Sequence, residues 1–216
     1  MPMRAAKSLA HEKRDLTQKA IQKAAKKVFF QKGYANATIA EIAKLAGVAK
    51  GSIYLHFQTK DDLYLSLMLP ILKEIKRSIS GLKESVEQGR CKTGKEIVEG
   101  FYEHYQRLYR FDPDGIRIVQ AFQLGDMITA MSKQKQEELT MIARENFQIS
   151  RSIFSCAMER KIITRMDIPQ LVDVFWATFI GVVQLEESKL RLTGKNHFDD
   201  TLRSAFGILA KGLSTD

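Results

Sequence analysis

The stretch TIAEIAKLAGVAKGSIYLHFQTK, Thr38 to Lys60, decides the fold. Thr38-Ile39-Ala40-Glu41 reads as a capping box. The threonine hydroxyl accepts the third amide, and the glutamate reaches back to the threonine N–H. The helix so opened stops at Gly47, because glycine takes the left-handed turn at little cost. A second helix follows at once, about Lys50 to Phe57, too short to persist alone. It buries an apolar side of Val48, Ile53 and Phe57 and carries Lys50, Ser52, Tyr54 and His56 as donors. Thr59-Lys60-Asp61-Asp62 then starts a further helix, its first turn acidic as the helix dipole favours. Two short helices about a tight turn match a helix-turn-helix, whose second helix lies in the major groove of DNA. A short helix suits a groove ~12 Å wide. Its first amides can also face a phosphate.

The charge distribution points the same way. Residues 1–60 hold 12 Lys+Arg against 3 Asp+Glu, and residues 61–216 hold 22 of each. The whole net charge of +9 therefore lies in the first 60 residues. A basic head on a neutral body implies a polyanion as partner, either nucleic acid or an anionic membrane surface.

The 216 residues suffice for a small module joined to a larger one. The opening MPMRAAKSLAHEKRD lacks the apolar core of a secretory leader. No run of ~18 apolar residues occurs; VFWATFIGVVQL, Val174 to Leu185, is shorter and flanked by charge. A cytoplasmic protein is expected. Cys91 and Cys156, without a partner motif, read as reduced thiols.

Helical periodicity covers almost the whole chain and strand signals are absent, so the class is all-α, about nine helices. The first helix spans about Arg14 to Lys32 with Ile21, Ala24, Ala25, Val28 and Phe29 as its stripe, and ends at Gly33. The fourth, from Thr59, contains Pro70, which removes the amide that would serve the Ser66 carbonyl; a kink or break is expected there. Later helices span about Gly94–Arg110, Asp112 to a break at Gly125-Asp126, onward to Lys161, Asp167–Leu192 and Asp199–Leu213. The expected division is a DNA-binding module at 1–60 and a helical effector-binding and dimerisation domain at 61–216.

KGYANATIAEIAKLAGVAKGSIYLHFQTKDDLYLSLM resembles the DNA-binding signature of TetR-family transcriptional regulators. An aromatic follows a helix-ending KG; then come T-x-x-x-I-A, A-G-V, and K-G-[ST]-[IL]-Y-x-H-F-x-[ST]-K-[DE]-x-L. The likeness covers about Leu16 to Met68. It implies a homodimer on a pseudo-palindromic operator, usually a repressor, released by a small molecule bound in the C-terminal domain. It also implies dimerisation through the last two long helices, about 168–192 and 199–213. By position, Tyr54, His56 and Lys60 would hold phosphates, with Thr38 at the start of the second helix. Lys50, Gly51, Ser52 and Leu55 would face base edges, Leu55 meeting a thymine methyl. One position departs: Ala49 stands where the family often has a Ser or Thr cap, and a lost cap typically costs ~1 kcal/mol.

Residue types alone add two readings. Lys60 at a helix N-terminus is electrostatically misplaced, which favours a phosphate role. Arg4, Lys7, Lys13 and Arg14 form either a minor-groove arm or a frayed terminus.

In the body, Phe101, Tyr102, Tyr105, Tyr109, Phe111, Phe122, Met127, Met131, Met141, Trp176 and Phe179 are core residues or the lining of an apolar cavity. Tyr102, Tyr105, Phe122, Gln123 and Trp176 are the ligand candidates, with His104, Gln120 and Asp126 as further polar groups. Such a lining suits an apolar or aromatic effector. The helix from Ile168 is apolar on nearly all sides, as in a subunit interface or a central core. Catalysis has little support: His11, His56, His104 and His197 are scattered, and no metal, nucleotide or cofactor motif occurs. A membrane-surface protein would explain the basic first helix but not the capping box, the turn or the short third helix.

Overall fold

The terminus signals act as the sequence dictates. In the computed structural model, which describes residues 2–123 and 131–213 with side chains from His11, Thr38 Oγ1 accepts the Glu41 amide at 3.2 Å. The Glu41 carboxylate accepts the Thr38 amide, also at 3.2 Å. Gly47 then adopts φ 68° and ψ 30°, and the Val48 amide donates to the Ala43 carbonyl at 3.1 Å. These features bound α2, Ile39–Ala46.

Nine helices and no strand occur among the described residues. α1 is Pro2–Asn36, α3 Lys50–Tyr54, α4 Lys60–Glu87, α5 Gly94–Phe111 and α6 Pro113–Gln123. α7 is Lys133–Glu159, α8 Ile168–Thr193 and α9 Phe198–Leu213. α1 starts well before the expected Arg14, so the basic N-terminal residues lie on helix. Gly33 interrupts α1 at φ 72°, where a glycine stop was expected. The predicted break at Gly125-Asp126 lies outside the described residues.

At Pro70, where a kink or break was expected, α4 runs through without a break. Proline strips the Ser66 carbonyl of its helical donor. Gln22 of α1 replaces that donor, its Nε2 lying 3.4 Å from the Ser66 carbonyl and 3.1 Å from the Ser66 hydroxyl. The orphan acceptor is satisfied from another helix, so the helix need not open.

The chain divides into two compact units, Met1–Pro70 with Asp114–Leu139, and Ile71–Pro113 with Thr140–Asp216. The first buries Ile21, Ala25, Ile42, Ile53, Leu63 and Tyr64. Phe29, Tyr34 and Tyr64 close its core, ring centroids 5.1 to 5.8 Å apart. Tyr64 donates to the Ile118 carbonyl at 2.8 Å, which ties α6 to α4. Such ring pairs each add about 0.5–1.5 kcal/mol beyond area burial.

The second unit is organised by Phe101, Phe154, Phe175 and Phe206, with Phe101 stacked on Phe154 at 5.0 Å. α5 opens with a second capping box, Thr93 and Glu96, and packs against α9. α8 has the length and apolar character of a membrane-crossing helix. Yet it buries Leu171, Val172, Phe175, Phe179, Val182 and Val183 inside the protein. It also seats the fully buried Glu186, whose carboxylate holds Lys189, the His197 amide and the Thr201 hydroxyl.

Candidate nucleic-acid interface

α3 is five residues long and splits cleanly by exposure. Ile53 and Phe57 turn into the core, while Lys50, Gly51, Tyr54 and Leu55 face outward and Ser52 and His56 are half-buried. Leu55 is 76% exposed and Tyr54 47%. Stability of the isolated protein does not explain a leucine so placed, because its burial term is forfeited. His56 carries a buried Nδ1 without a hydrogen-bond partner. Ala49 sits at the N-cap in extended geometry with no side-chain cap, as its side chain requires.

Gly51 is helical with a normal φ, and a Cβ built there meets nothing within 4 Å. Neither backbone conformation nor packing in the protein demands glycine at this position. A close external surface would.

The charge around the reader is one-sided. Between Leu16 and Lys60 the only acid is Glu41, and Lys32 pairs with it. That contact holds the Glu41 carboxyl below the usual range, with Thr38 adding to the effect. Thr38 is exposed, but its hydroxyl already serves the cap.

Lys60, also an expected phosphate contact, is engaged within the protein. Its ammonium lies 2.9, 3.4 and 3.3 Å from the Tyr34, Ala35 and Ala37 carbonyls and 4.3 Å from the Tyr34 ring centroid. The electrostatic misfit read from the sequence is resolved here by the carbonyl end of α1.

Of the ligand candidates, Tyr105 and Trp176 lie together, centroids 6.2 Å apart, with Tyr105 stacked on Phe179 at 4.6 Å. Tyr102 is buried, and its hydroxyl accepts Gln106 at 2.8 Å and Arg203 at 3.1 Å. A cavity of about 300 Å³ beside it is lined by Val98, Arg203, Phe206 and Gly207. Phe122 and Gln123 belong to the first unit, on α6. Gln120 is buried. Asp126 and Met127 lie outside the described residues.

His104 is buried with Nδ1 2.6 Å from the Ser78 hydroxyl, and burial with the Arg107 charge pushes its pKa down to about 3. It stands in a groove of about 440 Å³ with Glu103 and Arg107. Sequence reasoning missed Arg203, Gln22 and the Thr93 box; only the box had a local signal. No group of three or more metal-ligating side chains occurs among the described residues.

Residues 21–67 match the family model for bacterial regulatory proteins of the tetR family. The HTH-type transcriptional regulator QacR of Staphylococcus aureus is 38% identical over 72 residues, 33% of this chain and 36% of that protein. The chain thus spans little more than a third of the length of that relative. A TetR family transcriptional regulator, PfmR of Thermus thermophilus, has the same fold, with TM-score 0.70 at 17% identity over 90% of this chain and 99% of that one. The FadR regulator of Bacillus subtilis, solved with stearoyl-CoA, gives TM-score 0.64 at 20% identity over 90% and 98%. The matched proteins are transcriptional regulators, not enzymes.

Proposed function

We propose, for a chain whose residues 21–67 form a TetR-family domain, that it is a ligand-responsive repressor binding operator DNA as a homodimer. The observation that carries the reading is α3 with its C-cap: a five-residue helix showing water Lys50, Gly51 and Tyr54, capped by the exposed Leu55, inside the part of the chain that holds all the net charge. Lys50, Gly51, Ser52 and Leu55 meet base edges, Leu55 through a thymine methyl. Tyr54 and His56 meet phosphates, and Thr38 brings the start of α2 to the backbone.

Two copies are needed to read a palindrome, with readers ~34–36 Å apart. The outer face of α8 supports dimerisation: Val174, Thr178, Gly181 and Leu185 recur at helical spacing, Val174 and Leu185 exposed, and Ile208 of α9 is exposed as well. A Cβ at Gly181 would meet nothing, so a second helix can approach closely. Residues 61–216 then provide dimerisation and effector binding. The Tyr105, Trp176 and Phe179 cluster suits an apolar or aromatic effector, and the stearoyl-CoA bound by FadR carries a long apolar acyl chain on a charged CoA head. α4 begins directly after the reader and continues past Pro70, so it is the covalent route by which an effector that prefers one head spacing shifts the population. The protein works in the cytoplasm, with no membrane partner.

The test is selection of bound duplexes from a random pool, followed by titration at several salt concentrations. The reading requires a two-fold-related consensus and affinity that falls with salt. Binding to anionic vesicles with no duplex retained would overturn it.

A further inference from the structure

Lys60 follows the recognition helix by a few residues, and its three acceptors immediately precede the Thr38 cap of α2. The reader, 38–59, is therefore pinned at both ends by one side chain. An ammonium has three N–H donors, and three carbonyls stand within 3.4 Å of this one. No donor remains for a phosphate unless the corner between α1 and α2 opens. The Tyr34 carbonyl also accepts the Ala37 amide at 3.3 Å, and carbonyls at a helix C-terminus carry partial negative charge, which suits a cation.

A second tie lies beside the first. The Tyr34 hydroxyl donates to Asp61 Oδ1, and Asp61 Oδ2 accepts the Ser132 amide at 2.8 Å. Burial pushes the Asp61 carboxyl up, but the bonds from Tyr34 and Ser132 outweigh it and hold the group below the usual carboxylate range. Burial and the Asp61 contact push the Tyr34 phenol up, so it stays a donor. Lys60 and Asp61 thus grip Tyr34 from its backbone, its ring face and its hydroxyl, all within the first unit.

We propose that the Lys60–Tyr34–Asp61 latch is a positioning element that sets the angle of the recognition helix, and that Lys60 does not hold a DNA phosphate. The proposal rests on the reading of α3 as the recognition helix. Its consequence is specificity without electrostatic affinity. A displaced helix loses base contacts, which carry sequence information, while phosphate contacts from other residues persist.

The experiment compares wild type with Lys60→Gln, Lys60→Arg and Tyr34→Phe. For each, affinity for the selected duplex and for a scrambled duplex is measured against salt, and thermal melting is recorded. The latch predicts that Lys60→Gln and Tyr34→Phe lower the selected-to-scrambled ratio by about tenfold and leave the slope of log K against log salt unchanged. Lys60→Arg, which keeps donors for the carbonyls, should restore most of the ratio. A slope reduced by about 0.9 per protomer, with equal loss on both duplexes, would show a phosphate contact and overturn the latch. A lower melting temperature with ratio and slope intact would reduce it to ordinary stabilisation and overturn it equally. Should Lys60→Gln not fold, Tyr34→Phe with an undiminished ratio refutes the proposal. Failure of wild type to select any duplex would instead strike the reading of α3.

Discussion

Gly51→Ala separates what the fold wants from what the partner wants. Glycine inside a helix costs about 0.5–1 kcal/mol relative to alanine. At Gly51 the backbone is helical and a new Cβ would meet nothing within 4 Å, so the substitution should be free of strain. The site is the second residue of a short helix, so the gain belongs near the lower end, about 0.5 kcal/mol. Melting should then rise by about 1–2 °C, at roughly 2–4 °C per kcal/mol for a chain of this size. Operator binding should move the other way. A methyl forced into a packed contact typically costs about 1–3 kcal/mol, or a roughly 5- to 150-fold weaker Kd. Fluorescence anisotropy on the selected duplex measures the loss, and calorimetry measures the stability. Gly81→Ala is the control: its Cβ is equally open in exposed helix, so it should stabilise with no effect on DNA. Unchanged or tighter operator binding by Gly51→Ala would refute the placement of α3 in the groove.

Three further outcomes follow from local geometry. Ala49→Ser should supply the absent N-cap of α3 and raise stability by about 1 kcal/mol in urea denaturation; no gain would mean the amides are satisfied otherwise. Gln22→Ala should cost about 1 kcal/mol in the native background, since the Ser66 carbonyl loses its replacement donor. The loss should shrink in Pro70→Ala, where the helix restores its own bond; an equal loss in both backgrounds contradicts the exchange. Glu186 offers a pH test: burial raises its carboxyl, but Lys189, the His197 amide and Thr201 outweigh it and bring its pKa to about 2, below the ordinary 4.5. A depressed carboxyl stabilises above its unfolded pKa and loses that effect as pH falls toward the folded value. Glu186→Gln should therefore be less stable than wild type at pH 7, with the gap closing between about pH 4.5 and 2. A gap of constant size would refute the linkage.

What was legible in the sequence tracks how far apart the responsible groups are. Thr38 with Glu41 and the stop at Gly47 act over three or four residues, so reading them needs no tertiary information. The bare cap at Ala49 is equally local, and an alanine there can form no other cap. Pro70 is the opposite case. The missing donor at Ser66 was correctly inferred, but its replacement comes from Gln22, 44 residues away, and only the folded head brings the two together. Tyr102 shows the same limit in the body: an aromatic at core spacing is legible, whereas its hydroxyl's commitment to Arg203, 101 residues on, is not.

Lys60 shows that a local anomaly can be sound while its explanation is non-local. A cation in the first turn of a helix is out of place, and that misfit calls for a negative partner. DNA phosphate and the carbonyl end of another helix both answer the demand. Nothing within a few residues of Lys60 distinguishes them, because the acceptors at Tyr34, Ala35 and Ala37 are 23 to 26 residues earlier. Leu55 differs in kind. Its anomaly, a leucine 76% exposed at the end of a helix whose Ile53 is fully buried, remains after folding. An anomaly that the fold absorbs, as at Lys60, has an internal partner and supports the proposed latch. One that the fold leaves open, as at Leu55 and Gly51, marks the surface built for something else, and those two positions bear the weight of the DNA-binding reading.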